Sequence, residues 1–157
     1  MFKHILVPLD GSRLSARALP YAIELAGKFK SEITLLRVVK QTTPFIVAET
    51  SGMGSSIGAQ MTIDAARYQD KRNAANAERY LQKQVKKLTD KGIKASSAVL
   101  IGSPAESIIK HCRKNRINLV VITTHGRSGF KRAILGSVAD KIVHEPGLVA
   151  MVIHPRS

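Results

Sequence analysis

The residues best suited to chemistry lie in Leu119–Asp140, LVVITTHGRSGFKRAILGSVAD. An apolar, β-branched run from Leu119 to Thr123 stops at a polar turn holding His125, Gly126 and Arg127. Nine residues separate Gly126 from Gly136, Ser137 follows, and a helical apolar pattern begins. A strand that empties into a glycine loop whose far end opens a helix is built to hold phosphate. Glycine lets the backbone come close to the anion, and free N–H groups at the helix start point towards it. Ser137 offers both its N–H and its hydroxyl there. Arg127, Lys131 and Arg132 either add positive charge to the loop or form a solvated face. His125 reads as a loop-positioning residue rather than a catalytic base.

A second group is Pro8-Leu9-Asp10-Gly11-Ser12. The Asp10 carboxylate suits a ribose hydroxyl, or a divalent cation bridged to phosphates, which makes Asp10 the candidate Mg²⁺ ligand. The competing role is an Asx turn ahead of Gly11. Other chemistries find no support. There is no Walker A spacing and no serine in G-x-S-x-G. The five histidines never pair at metal-ligand spacing, and the lone Cys112 reads as a buried thiol on a helix face. Gly52, Gly54 and Gly58 imitate a dinucleotide fingerprint with the wrong spacing.

The elements that must position these groups alternate. Strands are expected at Lys3–Leu9, Glu32–Val39, Lys94–Ile101, Leu119–Thr123 and Leu148–Ile153. Helices are expected at Ser15–Phe29, Asp64–Lys91, from Ser103, and at Ser137–His144. Pro20 falls in the first turns of the first helix, and Gly92 stops the second. Ser103-Pro104-Ala105-Glu106 has the form of a capping box with proline at the first helical position. Residues 40–62, rich in Gly, Ser and Thr, read as one long flexible loop, a lid or partner surface. Strand–helix alternation of this kind predicts an α/β fold: a three-layer, Rossmann-like sandwich around a five-stranded, mostly parallel sheet, with residues 1–157 as one domain. Ligands of such sheets bind beyond the carboxyl ends of the strands, where the strand order reverses. That rule selects Pro8–Ser12, Val38–Lys40 and Thr123–Ser137.

Composition narrows the partners. The chain is 44% hydrophobic over 157 residues, with no Trp and few aromatic rings, so surfaces for stacking bases are scarce. The net charge of +14 is uneven: +3 in residues 1–78 and +11 in residues 79–157. This favours anionic partners, whether nucleotides, an acidic protein or nucleic acid. Lys83, Lys86, Lys87, Lys91 and Lys94 gather around one helix end, where a solvated face is the plain explanation. One cysteine, no stretch resembling a signal peptide and no apolar run near ~20 residues lead us to expect a cytoplasmic protein that does not enter membranes.

At these residues the chain resembles the universal stress proteins of the UspA superfamily. The segments that carry the likeness are HILVPLDGSRLSARALPYAIELA, IGSPAESIIKHCRKNRINLVVITTHGRSG and GSVADKIVHEPGLVAMVI, in order and along nearly the whole length. ATP-binding members carry G-x2-G-x9-G-[ST]; here Gly126, Gly136 and Ser137 match, while Thr123 stands in the first glycine position. A β-branched side chain there narrows the approach to ribose or phosphates. The resemblance implies that Pro8, Leu9 and Asp10 line a nucleotide and that backbone at Val38 faces adenine. It places Thr123, Gly126, Gly136, Ser137 and Val138 around ribose and phosphates, with His125 and Arg127 in the same loop. It also implies an adenine nucleotide as ligand (ATP, ADP or AMP, with Mg²⁺), a regulatory or sensing role with at most slow hydrolysis, and a homodimer through residues 148–153. Two other functions fit the residues. One is a stress protein that binds no ATP and meets an acidic protein or nucleic acid through its basic half. The other is an enzyme that activates carboxylates by adenylation, with Asp10 beside the glycine loop.

Overall fold

The computed structural model describes residues 2–43, 55–124 and 135–154, with side chains in the middle segment described from Gly58 onward. His125, Gly126, Arg127, Lys131 and Arg132 lie outside the described residues, as do Gly52 and Gly54.

Strand β1 (His4–Pro8) is followed by a 3-10 turn (Ser15–Ala18) and helix α1 (Leu19–Phe29), then by β2 (Glu32–Val39) and the 35-residue α2 (Ser55–Thr89). After these come β3 (Ala95–Ile101), α3 (Pro104–Lys114), β4 (Leu119–Thr123), α4 (Ser137–Val143) and β5 (Ala150–Ile153). All paired strands are parallel, in the order β3-β2-β1-β4-β5. This is the five-stranded α/β sandwich that the alternation requires. Successive side chains of a strand point to opposite faces. Ile5, Val7, Ile33, Leu35, Leu119 and Val121 accordingly form one core with Ala22 and Ala26 of α1 and Leu81 and Leu88 of α2. On the other face Leu6, Leu36, Val120 and Ile122 pack with Ile108 and Cys112 of α3 and Ala139 and Ile142 of α4.

Three local expectations need correction. Residues 55–62 belong to α2, which starts nine residues before Asp64. Ser and Gly lowered their apparent helicity, but a helix already growing from the sheet-packed end extends at low cost through Gly58–Ile63. Residues 15–18 wind as a 3-10 turn, and the α-helix begins at Leu19 with Pro20 in its first two positions, where its missing N–H deprives no hydrogen bond. At α3, Ser103 is the N-cap in extended conformation, yet its side chain makes no capping hydrogen bond. The backbone C=O of Ser103 instead accepts the Ser107 N–H at 2.9 Å, and Pro104 by itself removes one unpaired donor. Gly92 ends α2 as expected: φ of +75° lets its N–H reach Thr89 O and the Ile93 N–H reach Leu88 O.

The α2 stripe holds the sheet from one side. Leu81 is fully buried, and Leu81→Ala is expected to destabilise the fold by about 2–5 kcal/mol in urea or guanidinium melts. Cys112, 2% exposed, has its thiol pushed up to about 11 from 9.0 by burial, against a small opposing pull from a backbone hydrogen bond. The folded state thus favours the neutral thiol, and its contribution to stability is lost as pH rises from about 9 towards 11. A thiol reagent at about pH 8 should modify Cys112 only as fast as the fold opens. Rapid stoichiometric labelling of the native chain would contradict this burial.

Candidate functional site

The strand order runs outward as β1, β2, β3 on one side and β4, β5 on the other, so neighbouring crossovers leave β1 and β4 in opposite directions. Above their carboxyl ends lies a cavity of about 860 Å³. This is the place the switch-point rule selects. Pro8, Leu9 and Asp10 enter it from β1, Val38 from β2, Thr123 from β4, and Gly136, Ser137 and Val138 from the start of α4. All eight described residues expected at the site therefore share one cavity. Ile108, Pro104, Leu36 and Ile122 give it an apolar wall on the α3 side.

The turn after β1 is built by its own side chains. The Ser12 N–H donates to Asp10 Oδ1 at 2.8 Å, the Asx-turn bond, and the Asp10 N–H donates to Ser15 Oγ at 3.3 Å. Ser15 Oγ in turn donates to Ser12 O at 3.0 Å. Asp10 thus shapes the turn and lines the cavity at once. Gly11 is favoured by its backbone, and a side chain there would have to displace the Arg37 head group. Its φ is +86°, and a Cβ there would sit 2.8 Å from Nη1 of Arg37. Gly136 differs: at φ −62° and ψ 152° it adopts a conformation open to any residue, so its missing side chain leaves room rather than freeing the backbone. Thr123 is 6% exposed, and the cavity persists with this branched side chain in its wall.

The residues that the sequence did not single out come from the other face. Arg37 of β2, with Ser15, Asn73 and Asn76, lines a polar side of the same cavity, beside Lys40 from the expected Val38–Lys40 segment. The Arg37 guanidinium lies over the Tyr80 ring, 5.7 Å from its centre. Burial raises the Tyr80 phenol; Arg37 opposes that shift and Asp10 adds to it. Along α2, Asp70, Asn73, Ala77 and Tyr80 are spaced three and four residues apart and so share a face. Asp70, 8% exposed, accepts the Thr42 N–H at 3.0 Å and its hydroxyl at 2.6 Å, tying the chain that leaves β2 to α2. The polar members of that stripe were the available signal, hidden among apolar positions that satisfied a core pattern.

Among the described residues no three His, Cys, Asp or Glu side chains converge to hold a metal ion, and no helix is long and apolar enough to cross a membrane. Two cations of the lysine group are engaged within the chain, Lys86 with Asp90 at 3.2 Å and Lys94 with Glu32 at 2.9 Å.

Comparison with known proteins agrees with this architecture. The family model described as "Universal stress protein family" matches residues 1–152. The chain is similar to universal stress protein YxiE of Bacillus subtilis, 32% identical over 142 residues, covering 90% of this chain and 92% of that protein. Universal stress protein MJ0531 of Methanocaldococcus jannaschii is 31% identical over 153 residues, covering 95% and 82%. Among solved structures, MJ0577 superposes with a TM-score of 0.79 at 20% identity, covering 100% of this chain and 99% of that one. A universal stress protein solved in complex with cAMP gives a TM-score of 0.56 at 15% identity, covering 98% and 97%. A family protein from Arabidopsis thaliana with AMP bound gives 0.62 at 15% identity, covering 99% and 93%. At such identities the structural likeness speaks for the fold, while the family model and the closer relatives span nearly the full chain: it belongs to the universal stress protein family.

Proposed function

We propose that this universal stress protein binds an adenine nucleotide (ATP, ADP or AMP) in the cavity above β1 and β4 and acts in the cytoplasm as a stress-response regulator or sensor. The observation that carries the reading is the open cavity of about 860 Å³ that has Thr123 in its wall, which supports room for a nucleotide beside this branched side chain. In this arrangement Pro8 and Leu9 border the nucleoside, the backbone at Val38 faces adenine, and Asp10 meets the ribose hydroxyls. Thr123, Gly136, Ser137 and Val138 surround ribose and phosphates, with His125, Gly126 and Arg127 completing the loop. Related proteins solved with AMP and with cAMP support the ligand class.

Mg²⁺ would arrive with the polyphosphate. Among the described residues Asp10 is the one carboxylate in the cavity wall, and one carboxylate plus phosphate oxygens is a common way of holding this ion. Its presence would neutralise phosphate charge. No described side chain in the wall is placed as nucleophile or general base, so hydrolysis would be slow and rest on positioning. We further propose a homodimer through residues 148–153. β5 is a sheet edge, Val149 beside it is 50% exposed, and an unpaired apolar edge invites a second copy.

Protein purified without added nucleotide, denatured and chromatographed, should release ATP, ADP or AMP at near one per chain. Otherwise Mg-ATP at 100 times its Kd should raise stability by about 2.7 kcal/mol, read as a higher melting temperature. Gly136→Val is expected to lower nucleotide content with the circular dichroism unchanged. No retained nucleotide together with no shift in melting temperature would overturn the reading.

A further inference from the structure

The polar side of the cavity presents donors almost alone. The Asn73 amide oxygen accepts from Nε2 of Gln69 at 3.0 Å, and the Asn76 amide oxygen accepts from Nη2 of Arg79 at 2.9 Å. Each carboxamide therefore has its NH₂ group left to offer the cavity they both line. Arg37 holds its guanidinium over the Tyr80 ring, 5.7 Å from the ring centre, a contact with the π face that consumes none of its N–H donors as hydrogen bonds. Among the described residues Arg37 and Lys40 make no ion pair, and both line the cavity. Among the described residues that line the cavity the one carboxylate is Asp10, which already accepts the Ser12 N–H.

Such a wall suits an anion better than a purine edge. Reading adenine through N6 and N7 takes a donor and an acceptor side by side, as a free carboxamide supplies. Here each carboxamide oxygen already accepts one bond from a neighbour on α2 and keeps a single lone pair, so donors outnumber acceptors on this side. A phosphate accepts from every group present, and an arginine edge meets two of its oxygens at once.

We propose that this side of the cavity holds a second phosphate group, carried on the ribose of the bound nucleotide, with Arg37 as the residue that selects it. The inference rests on the nucleotide reading above. In that reading the 5′-phosphates lie against Gly136–Val138 on the β4 side and the ribose hydroxyls lie at Asp10. Arg37 reaches the same turn from beneath: its Nη1 fills the space beside Gly11 that any larger residue would occupy. A substituent on the ribose 2′- or 3′-oxygen would face Arg37, while the hydroxyl left free would meet Asp10.

The test compares 5′-AMP with adenosine 2′,5′-bisphosphate and adenosine 3′,5′-bisphosphate by calorimetry at one salt concentration. One bisphosphate should bind about tenfold or more tightly than AMP, the scale of a new charge-assisted hydrogen-bond pair. In Arg37→Gln the ratio of bisphosphate to AMP affinity should fall to near one, and Asn76→Asp, at an exposed helix position, should reduce it as well. A bisphosphate advantage that survives Arg37→Gln overturns the proposal. Inorganic phosphate that binds the AMP complex as tightly as the second phosphate of the bisphosphate would overturn the ribose-borne form. AMP binding without any bisphosphate advantage removes this inference alone, whereas binding of none of the three removes the nucleotide reading with it.

Discussion

The structure depends on β1 being held on both edges and covered on both faces. His4–Pro8 pairs with β2 along its length and with β4 at Ile5 and Leu6, and Ile5, Leu6 and Val7 are wholly excluded from solvent. Parallel strands need crossovers, and right-handed crossovers on either side of a central strand place helices on opposite faces. Both cores and the crevice above β1 and β4 follow from that arrangement. The strand supplies apolar residues to both faces in five positions, and the chain leaving its end becomes the floor of the cavity.

Around that crevice two walls of different chemistry meet. The side towards α3 and α4 is apolar apart from backbone and Ser137. The side towards α2 brings Arg37, Lys40, Asn73 and Asn76, steadied by Tyr80 beneath the guanidinium and by Asp70 gripping Thr42. An apolar wall with a few fixed polar groups is the usual constitution of a small-molecule site. The division follows the sheet, because Leu36 and Val38 face one way and Leu35 and Arg37 the other. Gly11 joins the walls by letting the β1 turn and the Arg37 head group share one space.

Most of the elements were legible from local pattern. β2 and β4 are apolar, β-branched runs bounded by polar turns, and α1 carries Ala22 and Ala26 at helical spacing. The readings that failed were at helix starts. Ser103 has the residue type of a cap and sits at the N-cap, but its hydroxyl makes no capping hydrogen bond. In Ser55–Thr62 the two serines, Gly58 and Thr62 dilute the helix formers Ala59, Gln60 and Met61, and its helicity comes from continuity with a long segment that the sheet anchors further on. In both cases the competition between nearly equal local conformations is settled by energies of about 1 kcal/mol or less, which residue type does not resolve.

The sequence by itself determined the alternation, the two-sided burial of the central strands, the turn at Asp10–Ser12 and the cluster of residues at the strand ends. These follow from residue type and spacing, which act over a few neighbouring positions. The family likeness rests on the same short segments, and the match across residues 1–152 agrees with it. Only the tertiary structure decided that Arg37 sits beside Gly11 and over Tyr80, and that Asn73 and Asn76 line the same cavity as Thr123. Those facts depend on how α2 lies against β2 some forty residues earlier in the chain. A contact over that separation is fixed by packing of whole elements, and no periodicity in either segment encodes it.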